Sequence, residues 1–271
     1  MSASFSLLGG GGWIPTVRRE TTCALLSLPG ALFIFDAGTG LARLLEARFQ
    51  TELEGEREIH LFLSHYHLDH VAGLVYLPGI LKGRTVFVHP PAAEITGVDP
   101  WETLDSLVRK PFNPTGLAGM PVDIRIEPLG EGGHSIAGVE VRARRQIHPD
   151  PSAAWRVGDL MAFCTDTAAD QKSAAFACGT RLLVHEAWIN GEEESDPATR
   201  QIAREAYTGH TSARQAAALA AAAEVVQLVL CHLNPLRSDD YHSGMLLAAR
   251  EIFAETHILE DGEIVALQEE L

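Results

Sequence analysis

Short apolar runs of strand length, separated by Gly, Pro and polar residues, recur along the whole chain. Some runs are continuously apolar, which is typical of strands covered on both faces, and others alternate as half-buried strands do. We predict strands at residues 5–9, 23–28, 31–35, 59–64, 85–89, 122–129, 136–147, 153–158, 160–166, 181–187 and 225–232. The alternating segments between residues 122 and 166 have the pattern of a meander.

Segments with helical periodicity separate several of these runs. We predict helices at residues 41–49, 101–110, 212–223 and 244–255. The stretch "DAGTG" (36–40) opens the first helix, and Thr211 or Ser212 is expected to cap the Ala-rich third. Residues 256–267 predict a hairpin, because Asp-Gly is a preferred hairpin turn. Strands and helices that interleave around a meander predict an α/β fold with two packed sheets and helices on both outer faces, in one domain spanning 1–271.

Composition narrows the class of protein. The chain has 271 residues, of which 46% are hydrophobic, enough for a sizeable core. No apolar run approaches the roughly 20 residues of a membrane helix, and the N-terminal segment does not have the pattern of a signal peptide. Cys23, Cys164, Cys178 and Cys231 are scattered, so we expect reduced, mostly buried thiols in a cytoplasmic protein that does not enter a membrane.

The formal net charge is −15, which disfavours polyanionic partners such as nucleic acid. The densest basic stretch is "VRARR", with Arg142, Arg144 and Arg145. Because these residues alternate with apolar ones, we expect the solvated face of a strand and not an anion site.

The stretch "LSHYHLDHVAGL" (63–74) places four possible metal ligands within six residues directly after an apolar strand. His65 and His67 can point the same way from an extended turn, whereas Asp69 and His70 face a different point. Such a motif can serve two cations side by side. Imidazole and carboxylate ligands suit zinc, with manganese and iron as alternatives.

Three other predicted strands end on or just before a ligand: His148, Asp166 and His232. A single His or Asp at a strand end is more often a turn former or a cap, but the joint pattern favours metal binding. Two metals that each have about four protein contacts, and an open position for water between them, can be bound by seven ligands if one ligand contacts both metals. We assign His65, His67 and His148 to the first metal, Asp69, His70 and His232 to the second, and Asp166 to both.

With these residues in place, the chain resembles the metallo-β-lactamase superfamily, whose signature is similar to "SHYHLDH" (64–70). The resemblance extends over nearly the whole chain and implies a four-layer αββα sandwich. Three further stretches are similar to the branch of ribonuclease Z and phosphodiesterases: the Gly-rich opening at 7–26, "VHEAW" (184–188) and "GHTSARQAAALA" (209–220). Trp188 stands where that branch has Thr.

The resemblance also implies catalytic roles. His210 would be a non-ligand that contacts the phosphate and protonates the leaving oxygen, Glu186 would orient His210, and Asp69 would help to orient the attacking hydroxide. Considered alone, His210 could equally be a helix-capping or surface residue, and Glu186 a surface carboxylate. A homodimer is expected from the resemblance.

The chain departs from ribonuclease Z in two places. Long-form tRNA-processing enzymes of that branch insert a tRNA-gripping arm between the third His and the bridging Asp, but only 18 residues separate His148 from Asp166 here. After the last ligand, the usual Ser-x-Arg-Tyr is altered, with Asn234 and Pro235 following Leu233. Arg237 could reach a phosphate or serve as a surface residue, and the connection at 90–120 has no assigned role.

These observations predict a dinuclear metal-dependent hydrolase, in the first place a phosphodiesterase for a small phosphodiester or nucleotide. The alternatives are tRNA 3′ processing and hydrolysis of carboxyl esters, lactones, thioesters or sulfate esters. A di-iron oxidoreductase is disfavoured, because such relatives have a carboxylate at the position of His67. A non-catalytic binding protein is disfavoured because all seven ligands are present.

Overall fold

The computed structural model describes residues 3–191 and 209–267. The chain divides into two compact units. Unit 1 comprises Met1–Gly10, Ile14–Gly130 and Glu260–Leu271, and unit 2 comprises Gly11–Trp13 and Glu131–Leu259. The single domain spanning 1–271 stays a prediction.

Each unit contains one seven-stranded sheet. The strands are β1 (Ser4–Gly9), β2 (Cys23–Ser27), β3 (Ala31–Phe35), β4 (Glu58–Phe62), β5 (Thr85–His89), β6 (Asp123–Ile126), β7 (Gly132–Ile136), β8 (Val139–Arg145), β9 (Ala153–Val157), β10 (Met161–Cys164), β11 (Leu182–Glu186), β12 (Gln227–Cys231), β13 (Thr256–His257) and β14 (Glu263–Ala266). Within the described residues, the α-helices are α1 (Ala47–Leu53), α2 (Leu68–Val71), α3 (Leu77–Ile80), α4 (Ala93–Thr96), α5 (Pro100–Val108), α6 (Gln171–Ala177), α7 (Ala213–Ala222) and α8 (Asp239–Arg250). Short 3₁₀ helices span Thr39–Leu45, Ala72–Tyr76 and Leu117–Gly119.

The sheet of unit 1 has the strand order β14-β1-β2-β3-β4-β5-β6. Strands β3 to β6 are parallel, and β14, β1 and β2 are antiparallel to their neighbours. Every residue of β2 and β3 is buried, as their continuous apolar sequences require. Apolar side chains from the following helices, among them Leu41, Phe49 and Leu104, pack into the same core.

The sheet of unit 2 has the order β13-β12-β11-β10-β9-β8-β7, with an antiparallel meander from β7 to β10 and parallel strands from β10 to β13. Helix α7 contributes Ala213, Ala216, Ala217 and Ala220 to the core, so small side chains line its packed face. Ser212 is its N-cap and forms a capping box with Gln215.

Most predicted elements are present. Some of them begin or end at a different residue than predicted. The predicted strand 136–147 is two strands, because Ala137 and Gly138 form a turn with positive φ values. The predicted helix 41–49 is a 3₁₀ helix followed by α1. Helix α8 begins five residues before its predicted start, because Ser238 caps a polar first turn that carries no apolar periodicity.

The predicted hairpin at residues 256–267 is wrong. Strand β13 pairs with β12 in the sheet of unit 2, and β14 pairs with β1 in the sheet of unit 1. The Asp-Gly turn has a different partner: the Asp261 carboxylate accepts hydrogen bonds from the backbone N–H groups of Gly10, at 3.0 Å, and Glu20, at 2.6 Å. These two bonds tie Asp261 to the Gly-rich opening of the chain.

Three further expectations can be compared with the structure. Cys23, Cys164 and Cys231 are buried free thiols and Cys178 is exposed, as expected. The prediction that Arg144 is solvated is wrong, because its guanidinium contacts the Asp170 carboxylate at 2.8 Å and is largely buried. Among the described helices, none is long and apolar enough to cross a membrane.

Candidate metal centre

In unit 1, four predicted ligands follow the end of β4. His67 is the N-cap residue of α2, and Asp69 and His70 lie in its single turn. The ring of His65 lies 4.4 Å from that of His67 and 4.3 Å from that of His70, measured between centroids. His70 Nε2 lies 3.3 Å from Asp69 Oδ2. The turn between strand and helix therefore gathers the three imidazoles and the carboxylate at one place.

Asp36, at the end of β3, orients two of these histidines and was not predicted as a site residue. Its Oδ2 lies 2.8 Å from His70 Nδ1 and accepts a hydrogen bond from Ser64 Oγ at 2.9 Å. Ser64 Oγ in turn lies 2.9 Å from His65 Nδ1. A carboxylate that receives an Nδ1–H leaves the lone pair of the imidazole on Nε2, the atom available for a metal. Asp36 therefore sets this tautomer in His70 directly and in His65 through Ser64.

Asp36 is completely buried, and this burial raises the pKa of its carboxyl group. The adjacent His70 and the hydrogen bonds from Ser64 act in the opposite direction. Asp36 also accepts a hydrogen bond from the backbone N–H of Ser64 at 2.6 Å. The hydrogen bonds from Ser64 and His70 offset part of the cost of burying this carboxylate.

The "DAGTG" stretch holds the ligand-bearing turn in position. Ala37 N–H donates to the His70 carbonyl, and Gly73 N–H donates to the Ala37 carbonyl, both at 2.7 Å. A Cβ atom at Gly38 would clash with the backbone carbonyl oxygen of Asp69. The glycine is therefore required by the close approach of two backbone segments, which is a role beyond the helix start that the sequence predicted.

In unit 2, Asp166 lies between two of the predicted ligands. Its Oδ1 is 3.8 Å from His148 Nε2, and its Oδ2 is 3.3 Å from His232 Nε2. His148 Nδ1 lies 2.8 Å from the Asp150 carbonyl oxygen, so its Nδ1–H donates there and Nε2 carries the lone pair. The two carboxylate oxygens thus face two different histidines, as a residue that bridges two metals would.

Three of the site residues have left-handed backbone conformations. Among the described residues, six other than glycine have positive φ, and Asp36, Asp166 and His232 are three of them, with φ values of 58°, 49° and 50°. Such a conformation costs on the order of 1–3 kcal/mol in a residue that must be held there. It turns the chain sharply at each strand end.

Gly12 packs against His232. A Cβ atom at this glycine would lie 2.6 Å from the imidazole ring, and Gly12 N–H donates to the Leu233 carbonyl at 3.0 Å. Any larger residue would displace the ring. The Gly-rich opening therefore contributes directly to the position of a candidate ligand.

His210 and Glu186 form a pair, with His210 Nδ1 2.9 Å from Glu186 Oε2. Glu186 is completely buried, and its Oε1 accepts a short hydrogen bond from Thr167 N–H. One ligand atom each of Asp166, His210 and His232 lies within 4.8 Å of the others. His210 is therefore held by a buried carboxylate next to two candidate ligands.

Arg237 has a structural partner: its guanidinium lies 4.9 Å from the centre of the Tyr241 ring. Tyr241 Oη accepts a hydrogen bond from the backbone N–H of Asn190 at 3.0 Å. This stacking favours the surface role for Arg237 over the phosphate contact.

An α/β fold in which His and Asp side chains stand at strand ends, with imidazole tautomers set for coordination through Nε2, is typical of a metalloenzyme. The chain belongs to the metallo-β-lactamase superfamily, whose family model matches residues 17–223. The predicted fold class is confirmed, and the protein is a metal-dependent hydrolase, as the sequence predicted. The donor types present, imidazole and carboxylate, fit divalent metal ions.

Curated relatives support the predicted branch. A ribonuclease Z from Azobacteroides pseudotrichonymphae is 26% identical over 301 residues, which cover 97% of this chain and 98% of the relative. A ribonuclease Z from Haloferax volcanii is 27% identical over 317 residues, which cover 97% of this chain and 94% of the relative.

Solved structures support the fold. The metallo-β-lactamase fold protein YhfI from Bacillus subtilis has a TM-score of 0.73 at 18% identity, with 98% of this chain and 99% of that chain covered. A diphosphatase from the PhnP family has a TM-score of 0.68 at 15% identity, with 98% of each chain covered. The short form of human tRNase Z has a TM-score of 0.61 at 21% identity, with 98% of this chain and 100% of that chain covered.

Proposed function

We propose that the protein is a dinuclear metal-dependent phosphodiesterase that acts on a small phosphodiester or nucleotide. His65, His67 and His148 would bind one divalent metal, Asp69, His70 and His232 the other, and Asp166 both. The division of the two Asp166 oxygens between His148 and His232 supports the bridging role. Zinc is the first candidate for these ligands, with manganese and iron as alternatives.

The metals, when bound, polarise the phosphoryl oxygens and lower the pKa of water. Asp69 would also accept a hydrogen bond from the attacking water and direct it toward phosphorus. His210 would donate the Nε2 proton to the leaving oxygen while Nδ1–H remains bound to Glu186. General acid catalysis of this kind contributes about 10²–10⁴-fold to a rate.

The His210–Glu186 pair is the observation that carries this proposal. A hydrolase of activated carboxyl esters with the same metals has no need of a proton donor for a poor leaving group. Glu186 is fully buried and is held by Thr167 N–H, so its carboxylate keeps a defined position beside His210 Nδ1. A His that is held in this way can keep one N–H directed at the substrate.

A small substrate is supported by the segment between His148 and Asp166. Strands β9 and β10 and their connections occupy this segment, which leaves no room for an arm. The net charge of −15 also opposes a polyanion. The alignment with the first relative is longer than this chain, so that ribonuclease Z carries residues with no counterpart here.

The second candidate is tRNA 3′ processing, which the names of the curated relatives favour. Carboxyl-ester, lactone and sulfate-ester hydrolysis on the same scaffold remains the third. We also propose a homodimer, as the resemblance to this branch implies.

The test compares three substrates with the zinc- or manganese-loaded protein: bis(p-nitrophenyl) phosphate, p-nitrophenyl acetate and a precursor tRNA with a 3′ trailer. We expect turnover of the phosphodiester, and unchanged metal content in His210→Ala. This variant is also measured on an unactivated dinucleoside monophosphate, whose alkoxide leaving group needs a proton, and there we expect turnover at least 10²-fold lower than in the native protein. His134→Ala, a histidine change on the edge strand β7, is the matched control and should be silent. Turnover of the acetate alone, or efficient cleavage of the tRNA, would contradict the proposal.

A further inference from the structure

The indole of Trp188 stacks on the imidazole of His210. The ring centroids are 4.8 Å apart and the planes differ by 16°. Trp188 also contacts His232, with centroids 5.3 Å apart and a 30° tilt between the planes. We infer that Trp188 is a positioning residue for the reaction, which holds the ring plane of His210 so that Nε2 keeps its direction toward the leaving oxygen.

The backbone fixes Trp188 relative to both histidines. The backbone N–H of Trp188 donates to the Thr211 carbonyl, and the backbone N–H of Ala187 donates to the Cys231 carbonyl, both at 2.9 Å. Thr211 follows His210 directly, and Cys231 precedes His232. The backbone of Trp188 is therefore paired with the same two segments that carry the two imidazoles.

The segment that follows Trp188 continues this pairing. Ile189 forms a parallel bridge with Ser212, and Ala213 N–H donates to the Ile189 carbonyl at 2.8 Å. Ile189 is buried, so its side chain adds a packing anchor beside the hydrogen bonds. The pairing continues into the first turn of α7, so the Trp188 backbone is hydrogen-bonded on both sides of the residue to the segment 211–213.

Two different constraints are needed to fix an imidazole. The hydrogen bond from Nδ1 to Glu186 fixes one point of the ring, but it leaves rotation of the ring plane about the N–H···O line limited only by the side-chain torsions of His210. Such a rotation changes the direction of the Nε2–H bond. The parallel indole face blocks this rotation by van der Waals contact, and stacked aromatic pairs are favourable in themselves. Glu186 and Trp188 therefore constrain different motions of His210.

Thr167 connects the two supports. Its backbone N–H donates to Glu186 Oε1, and its carbonyl oxygen accepts a hydrogen bond from Thr211 Oγ1 at 2.6 Å. Thr211 also accepts the Trp188 N–H through its carbonyl. The carboxylate and the indole that flank His210 thus belong to one continuous hydrogen-bonded network.

This inference rests on the proposed acid role of His210, and its test has one arm that does not depend on turnover. In the full-length, zinc-loaded protein, the ring current of Trp188 should displace the His210 Cε1–H signal upfield in proton–carbon NMR spectra. Trp188→Thr should remove most of this displacement, leaving the smaller contribution of the His232 ring 5.6 Å away, and Trp188→Phe should retain more of it. An unstable variant would be recognised by its unfolding temperature, and the Phe variant then provides the comparison.

In the kinetic arm, the substrate is a dinucleoside monophosphate, whose alkoxide leaving group needs a proton. Trp188→Thr should lower its kcat about 3- to 10-fold with KM unchanged, and Trp188→Phe should recover most of the loss. Trp101→Thr, on helix α5 of unit 1, is the matched control and should change neither readout. An unshifted His210 signal in the native protein would overturn the stacking. A changed signal with unchanged kcat, or a change confined to KM, would overturn the positioning role. If no phosphodiester is turned over, the proposed function fails, while the NMR arm still decides whether Trp188 holds the ring.

Discussion

Asp36 and His70 are 34 residues apart in sequence, and Asp36 Oδ2 lies 2.8 Å from His70 Nδ1 in the buried interior of unit 1. The same oxygen accepts a hydrogen bond from Ser64, which contacts His65. One carboxylate therefore governs the tautomers of two candidate metal ligands.

Asp36→Asn should weaken metal binding about 10- to 100-fold, the usual cost of losing such a supporting carboxylate. If the amide oxygen takes the place of Oδ2, the amide NH₂ group faces the Ser64 backbone N–H that Oδ1 accepts in the native protein, and the negative charge beside His70 is lost. Affinity can be measured by competition with a chromogenic zinc chelator. Asp123→Asn, an exposed carboxylate on β6, is the control. Unchanged zinc affinity in Asp36→Asn would show that the histidines orient themselves without it.

Glu186→Gln should lower kcat for a phosphodiester about 10- to 100-fold and leave metal content unchanged, because the neutral amide stabilises a protonated His210 less well. Steady-state kinetics and metal analysis on the same preparation test this. Glu140→Gln, an exposed residue of β8 in the same sheet, should behave as the native protein does. Loss of metal along with activity would instead assign Glu186 a role in the metal site.

Removal of the metals with a chelator should lower the unfolding temperature. A ligand present at 100 times its Kd stabilises the folded state by about 2.7 kcal/mol per site. Asp166→Asn should reduce this effect, because the change removes the charge that two metals would share. Thermal unfolding of the native protein and of Asp166→Asn, each with and without chelator, measures the two effects. Equal unfolding temperatures for the native protein in the two conditions would argue against bound metal.

His60 should make stability depend on pH. Burial lowers its pKa below the ordinary value of 6.5, although Glu58 and Glu127 act in the opposite direction. In the unfolded chain, His60 therefore binds a proton near pH 6.5. In the folded protein, His60 binds that proton only at a lower pH. The free energy of unfolding should fall as the pH decreases below 6.5, by at most about 1.4 kcal/mol per pH unit for this proton.

His60→Gln should reduce that fall between pH 7 and pH 5. His60 Nδ1 lies 2.9 Å from His89 Nε2, so the change also alters a buried histidine pair, and His89→Gln should be measured beside it. Urea unfolding at several pH values provides the comparison, with His134→Gln on the edge strand β7 as the control. Identical pH profiles for His60→Gln and the native protein would exclude His60 as the cause.

The sequence by itself predicted most of the longer elements in their order, the family and the candidate ligands, but not β7, the short helices α2 to α4 or α6. Hydrophobic periodicity is a local property, so β2, β3 and β4 were predicted within a residue or two. "HYHLDH" is a local motif, and the other candidates, such as His148, could be recognised because strand ends are visible as the end of an apolar run. The His210 and Glu186 assignment needed the family resemblance, since neither residue has a distinctive local pattern.

Only the tertiary structure showed which residues hold these side chains in position. Asp36 looked like part of a helix start, because its partners Ser64 and His70 lie far away in sequence. The left-handed turns at Asp166 and His232 carry no sequence signature. Pairing between strands distant in sequence is decided by the whole sheet, so β13 and β14 joined different sheets despite an Asp-Gly turn that favours a hairpin. The stack of Trp188 on His210 likewise exists only because folding joins two backbone segments.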